Sequence, residues 1–188
     1  PEKMMIISVR TASIGYALPG TVIAVGVIIP FAWFDRKIDS LMSSYFGISS
    51  GLILSGTIFA IMFAYVVRFL AVSLQTVESG LEKIKPSMDD AARSLGYRPR
   101  EALMKVHIPL LKSSSLTALM IVFVDVMKEL PATLILRPFD FNTLAVRTFE
   151  LASDERLADS STSALAIVLA GLLPVIYLSQ TISKTRLK

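Results

Sequence analysis

The chain has 188 residues, 53% of them hydrophobic, with a mean hydropathy of +0.63 and a formal net charge of +4. That is too apolar for a water-soluble domain of this length, so much of its surface must face lipid. Without cysteine there are neither disulfides nor thiolate metal sites, and the basic excess requires no nucleic acid, because cytoplasmic membrane loops carry such an excess.

The N-terminal PEKMMIISVR has a short apolar run flanked by charges, unlike a signal peptide, and no initiator methionine; it reads as the cut end of a longer polypeptide. No charge falls between Arg10 and Asp35, between Asp39 and Arg68, or between Asp159 and Lys184. Each interval can hold the roughly 20 apolar residues that cross a bilayer. Four spans are expected, at about 13–34, 46–74, 113–130 and 163–183. In the first, Pro19-Gly20, with Tyr16 before and Gly26 and Pro30 after, removes a helix donor and loosens the turn. The expected result is a kink or an unwound stretch where a neighbouring helix or a substrate path satisfies the freed carbonyls. In the second, Gly47, Gly51 and Gly56 with Ser50 and Ser55 read as small residues for tight helix packing. Arg68 reads as a residue near the cytoplasmic end that snorkels to the interface or meets a partner.

Residues 78–110 form a long polar interruption. Ser87 is expected to cap a helix, with Asp90 three positions on completing a capping box. Met88, Ala91, Ala92 and Leu95 share one face by their spacing, and the alanines let another protein's backbone approach. Gly96 supplies a left-handed stop, Pro99 suits the first turn of a second helix reaching about His107, and Pro109 restarts the chain. A helix, a turn and a helix at the membrane surface make a contact for a soluble partner.

The third apolar run meets Asp125, so that span must accommodate Asp125, Lys128 and Glu129, each costing about 2.5–3.5 kcal/mol at the bilayer centre unless paired or wet. Asp125 and Lys128 lie at i, i+3 and neutralise each other. Glu129 lies beside both, and the one acid that remains unpaired is left to face a cavity, a neighbouring helix or a soluble partner. Asp125 and Glu129 offer oxygen ligands of the kind a hard metal ion prefers, but no metal site is assigned. Pro131 marks the outer end. Residues 131–162 are expected outside the membrane, with an amphipathic interfacial helix within 139–160 carrying Leu144, Val146, Phe149 and Leu151. Lys3 and Arg10, the basic residues of the polar loop, and Lys184, Arg186 and Lys188 fall on one side of four spans. Both termini and the loop are therefore expected in the cytoplasm.

Asp90-Ala91-Ala92, then Gly96, then Val106-x-Ile108-Pro109 resemble the EAA loop of type I ABC-importer permeases, the inner-membrane components of binding-protein-dependent transport. The family usually has Glu where this chain has Asp90, a shorter carboxylate that should weaken a reaching salt bridge. GYALPGTVIAVG, YVVRFLAVSLQTVESGLEKI and KELPATLILRPFDFNTLAVRTFELASDERLADSS extend the resemblance over essentially the whole chain, and they are similar to the C-terminal half of ferric-iron permeases. The resemblance implies an all-α polytopic membrane helical bundle in the bacterial inner membrane: a single permease domain of about four spans plus a cytoplasmic coupling helix. Asp90, Ala91, Ala92, Leu95, Gly96, Tyr97, Val106, Ile108 and Pro109 would dock on a cytoplasmic ABC ATPase dimer. The other implied partners are a second permease half, a periplasmic substrate-binding protein and membrane lipid. Pro19, Gly20, Asp125, Lys128 and Glu129 become candidates for the translocation path or its gating.

There is no GxxxxGKS/T loop to cradle phosphates, so the chain is expected to bind no cofactor, with ATP and Mg on the partner ATPase. No catalytic constellation stands out, and the lone His107 reads as a surface or interface residue. Ferric iron is the favoured substrate, while thiamine, polyamine, phosphonate and sulfate importers share the general loop. Two readings of other classes remain open: a proton-coupled secondary transporter using Asp125 and Glu129 as carriers, and a membrane scaffold or intramembrane enzyme in which those acids are structural or catalytic.

Overall fold

All regular structure among the described residues is helical, as lipid demands of a chain whose backbone must satisfy its own polar groups. The computed structural model describes residues 2–186, with side chains described at 7, 10–177, 179 and 180. The side chains of Lys3, Lys184, Arg186 and Lys188, which carry part of the orientation reading, lie outside the described residues. In chain order the helices are α1 (Glu2–Ala17), α2 (Gly20–Phe46), α3 (Ile58–Leu81), α4 (Pro86–Ser94), α5 (Pro99–Ala102), a π-helical turn (Leu103–His107), α6 (Ile108–Met127), α7 (Pro131–Leu136), α8 (Leu144–Ser153) and α9 (Leu157–Arg186). Three are long and apolar enough to cross a membrane: α3, the continuous helix Pro99–Met127, and Leu157–Tyr177 within α9. Arg10–Ala17 with α2 would make a fourth, broken span. The protein is thus an all-α, polytopic membrane bundle.

At Pro19-Gly20 the helix is interrupted, within the expectation of a kink or an unwound stretch: α1 and α2 are separate helices, bent through 113°. Other sequence expectations need correction. The apolar stretch expected as a span from residue 46 opens with a loop, and α3 starts only at Ile58. Gly47, Gly51 and Gly56 do not pack helices; each turns that loop with a positive φ (65°, 63° and 70°). Two carboxylates of α2 hold the loop. Asp35, almost fully buried, accepts the backbone N–H of Ile53, Leu54 and Ser55 at 3.3, 2.9 and 2.8 Å and the Ser55 hydroxyl at 2.5 Å. Asp39 accepts the Ser49 hydroxyl at 2.7 Å and the Ser50 N–H at 2.8 Å.

Because α3 runs from Ile58 to Leu81, Arg68 lies near its middle and not by the end that leads into the polar loop. Pro109 likewise does not restart the chain. It sits in the first turn of α6, directly after the π-helical turn, in which Ile108 N–H bonds back five residues to Leu103 O. Proline in a helix lacks a donor and crowds the carbonyl four residues back, and a π-bulge is among the few local changes that absorb such a defect.

The core sits where α2, α3 and α7 meet: Ile23, Ala24 and Val27 from α2, Ala60, Ile61 and Ala64 from α3, Ala132 and Leu136 from α7. Alanines let the backbones approach closely, which is how helices gain contact energy inside lipid. Phe31, Phe59 and Phe63 close one edge of this core as a ring cluster. α6 packs along α3, so that a Cβ on Gly80 would lie 2.3 Å from Ser114 Oγ. Within the stretch expected to hold an interfacial helix lies α8, capped by Thr143, which accepts the Val146 N–H at 3.3 Å. Ala145, Val146 and Leu151 are buried, and α8 packs against α9. Phe149 is exposed.

Candidate functional site

Two helix breaks meet at the middle of α3, the elbow at residues 18–19 and the gap between α6 and α7. The carboxylate of Glu129, one residue past the end of the α6 cap, reaches Arg68 of α3, with Nε 3.4 Å from Oε2. The side chains are 20% and 5% exposed respectively. The sequence left one acid with three possible surroundings; the acid is Glu129, and the neighbouring helix takes it. Its other oxygen accepts the N–H of Ala132 at 3.1 Å, capping α7. Its backbone carbonyl accepts the Thr133 hydroxyl at 2.9 Å, and Thr133 in turn hydrogen-bonds Tyr65 of α3. Lys128 and Asp125 form the expected pair at 2.9 Å.

Gly20 begins α2 against this cluster. A Cβ there would lie 2.2 Å from Arg68 Nη1, 2.7 Å from Glu129 Oε1 and 3.3 Å from Ala132 N. Only a hydrogen fits, so the elbow is keyed to the ion pair. The pair itself is underused: Arg68 Nε and Nη1 are buried without a hydrogen-bond partner, as is Asp125 Oδ2. Buried polar groups in that state cost about 1–3 kcal/mol each. Of the residues expected at a path or gate, Gly20 and Glu129 come together with Arg68. Asp125 and Lys128 pair with one another nearby in sequence, and Pro19 occupies the elbow as the N-cap of α2. Sequence reasoning missed the Arg68–Glu129 contact, since nothing local links residues that far apart. Among the described residues no three of His, Cys, Asp or Glu cluster as a metal site would need.

The polar loop is the second region. α4 starts at Pro86 with Lys85 as N-cap and no side-chain cap, so the capping box expected from Ser87 and Asp90 does not form. Proline at the first helical position pre-sets the turn and moves the cap one residue earlier than Ser87. The stop is as expected. Gly96 has φ +80°, and Gly96 N–H to Arg93 O (2.9 Å) with Tyr97 N–H to Ala92 O (3.0 Å) form a Schellman motif. The apolar face divides, however: Ala92 is buried, whereas Met88, Ala91 and Leu95 are exposed, Leu95 at 75%. α5 is held by Glu101, which accepts the Arg98 N–H at 2.9 Å. Val106 lies in the π-helical turn, followed by Ile108 and Pro109 at the start of α6. His107, expected as a surface or interface residue, is half-buried, with its Nε2 2.7 Å from Asp89 Oδ1.

Residues 5–188 match the family of binding-protein-dependent transport system inner membrane components. The chain belongs to that family. It is 30% identical over 165 residues to an Fe(3+)-transport system permease protein, FbpB 2, of Haemophilus influenzae, covering 88% of this chain and 29% of the relative. It is 28% identical over 156 residues to a putative 2-aminoethylphosphonate transport system permease protein, PhnV, of Salmonella typhimurium, covering 83% and 52%. This family member therefore spans about half or less of the curated relatives it matches. Those relatives are transport permeases and not enzymes, and the helices described above make the chain a multi-pass inner-membrane component.

Proposed function

We propose that the chain forms part of the translocation path of an ATP-driven importer for ferric iron and couples that path to a separate ATPase through α4. The observation that carries the reading is an exposed short helix, stopped at Gly96 and joined through an unbroken helix to the membrane-spanning α6, in a member of a binding-protein-dependent transport family. Met88, Ala91 and Leu95 are the apolar residues α4 offers to a groove on the ATPase. Asp90, also exposed, is the acid at the rim of that contact, and Tyr97, Val106, Ile108 and Pro109 support it from the loop and the start of α6. Ala92 anchors the helix to its own chain. ATP and Mg sit on the ATPase dimer, and a second permease half and a substrate-binding protein complete the importer. The loop and both termini face the cytoplasm, by the positive-inside bias.

Pro19, Gly20, Asp125, Lys128 and Glu129, with Arg68 added, form the gating level of the path. Both acids are paired with cations, which argues against their serving as proton carriers or as ferric ligands. Ferric iron is the favoured cargo because the relative at 30% identity is named for Fe(3+) transport. A 2-aminoethylphosphonate cargo is the second reading, favoured by the phosphonate-permease relatives. The test uses the absence of cysteine: one cysteine at Leu95 in the complete permease, one in the docking groove of the cognate ATPase, and crosslinking with and without ATP. A nucleotide-sensitive crosslink is expected. Its absence in an assembled complex would sink the coupling reading, and uptake of ferric iron against 2-aminoethylphosphonate by the same transporter decides the cargo.

A further inference from the structure

α4 is thinly anchored to the rest of the protein. Of its described residues only Ala92 is buried, and past Gly96 the chain runs directly into α5. Two side-chain contacts supplement this. From the first half of α4, Asp89 reaches His107, 18 residues on, at 2.7 Å. A carboxylate can only accept, so the imidazole Nε2 carries the hydrogen. Just beyond the other end of α4, the ring of Tyr97 lies against Lys105 Nζ, 4.7 Å from the centroid. Lys105 and His107 belong to the same π-helical turn, and that turn continues into α6, which ends beside the Arg68–Glu129 junction. Both ends of α4 are therefore tied to one turn of the helix that leads to the Arg68–Glu129 pair at the middle of α3.

We infer that Asp89 and His107 are positioning residues for energy coupling: their hydrogen bond is a strut that fixes the angle of α4 on the π-helical turn. A displacement of α4 is then handed to α6. Without the strut, the first half of α4 keeps only the buried Ala92 beside it, the Tyr97–Lys105 contact holds just the far end, and rotation about the backbone at residues 96–98 absorbs the motion. The inference rests on the coupling reading of α4 given above. The π-helical turn suits the task, since such turns are local irregularities that recur at functional sites, and it is here the common anchor of both ties. Neither residue is specified by the Asp90-Ala91-Ala92, Gly96, Val106-x-Ile108-Pro109 pattern: Asp89 stands one position before it and His107 fills its open position x.

The test is made in the complete transporter with its ATPase, reading import per ATP hydrolysed, the amount of assembled complex, and the Leu95 cysteine crosslink. The variants are Asp89→Ala, His107→Ala, both together, and His107→Gln, whose amide can still donate to Asp89. Each alanine variant should lower import per ATP about three- to tenfold, the double variant no further than either single. His107→Gln should recover most of the loss, with assembly and crosslink unchanged throughout. Unchanged import per ATP in both alanine variants overturns the strut, as do losses that multiply in the double variant. So does a fall in import that merely follows a fall in assembled complex. If the parent transporter gives no crosslink, the coupling reading fails and the strut with it; a crosslink with unaltered coupling sinks the strut alone.

Discussion

Replacing Glu129 by glutamine should destabilise the permease by about 3 kcal/mol, and most of that cost should disappear when Arg68 is replaced by methionine in the same chain. Removing one member of a buried ion pair leaves a charge without compensation, typically at about 3–5 kcal/mol. Arg68 keeps 20% of its side-chain exposure, so some water reaches it and the low end of that range applies. Glutamine retains an oxygen for the Ala132 N–H, which confines the change to charge; alanine at the same position adds about 1 kcal/mol for the lost cap. Arg68→Met alone strands the carboxylate and should also cost about 3 kcal/mol. The double variant removes both charges and the buried unsatisfied guanidinium nitrogens, so about 1 kcal/mol is expected against roughly 6 for independent effects. The assay is equilibrium unfolding of the purified complete permease in detergent micelles, with all four members of the cycle measured under one condition. A double variant whose loss equals the sum of the singles within about 0.5 kcal/mol would refute the reasoning.

Gly20→Ala should separate the same pair by steric force and lower both stability, by about 1–3 kcal/mol, and import, whereas Gly26→Ala, where an added Cβ meets nothing within 4 Å, should leave both unchanged; thermal unfolding and uptake check this. Asp35→Ala takes the acceptor from three backbone N–H groups of the loop before α3, so amide exchange at residues 53–55 should rise by an order of magnitude or more and stability fall by about 3 kcal/mol. Gly96→Ala forces a Cβ into a left-handed position at about 1 kcal/mol, and the Leu95 crosslink to the ATPase should weaken because the exit from α4 is re-aimed. Glu155, at φ 60°, ends α8 by the same motif, with Arg156 N–H on Leu151 O at 2.9 Å; Glu155→Gly should stabilise by about 0.5–1 kcal/mol, read as a raised unfolding midpoint.

Local chemistry was legible where a residue acts on its own backbone. Gly96 could be recognised as a helix stop from its position after an apolar periodic stretch, and Pro19-Gly20 as a break, although its 113° angle depends on what α2 packs against. Hydropathy misled at residues 46–57, where Ile48, Leu52, Ile53 and Leu54 imitate a span. The countervailing signal was present in three glycines with serines between them, a turn composition, and in Asp35 and Asp39 just upstream. Ser87 failed as a cap because Pro86 occupies the first helical position. The pairs Arg68–Glu129 and Asp89–His107 were out of reach, since each joins residues from different helices and no periodicity encodes which helices become neighbours.

The two ion pairs near the C-terminal end of α6 also have an electrical consequence. Arg68 with Glu129 and Lys128 with Asp125 sum to zero charge, so a rearrangement that carries each pair together displaces no net charge through the membrane field. A single elementary charge crossing 100 mV exchanges about 2.3 kcal/mol with that field; a neutral dipole moving as a unit exchanges far less. Any rearrangement at this level that keeps both pairs intact is thereby nearly blind to the membrane potential.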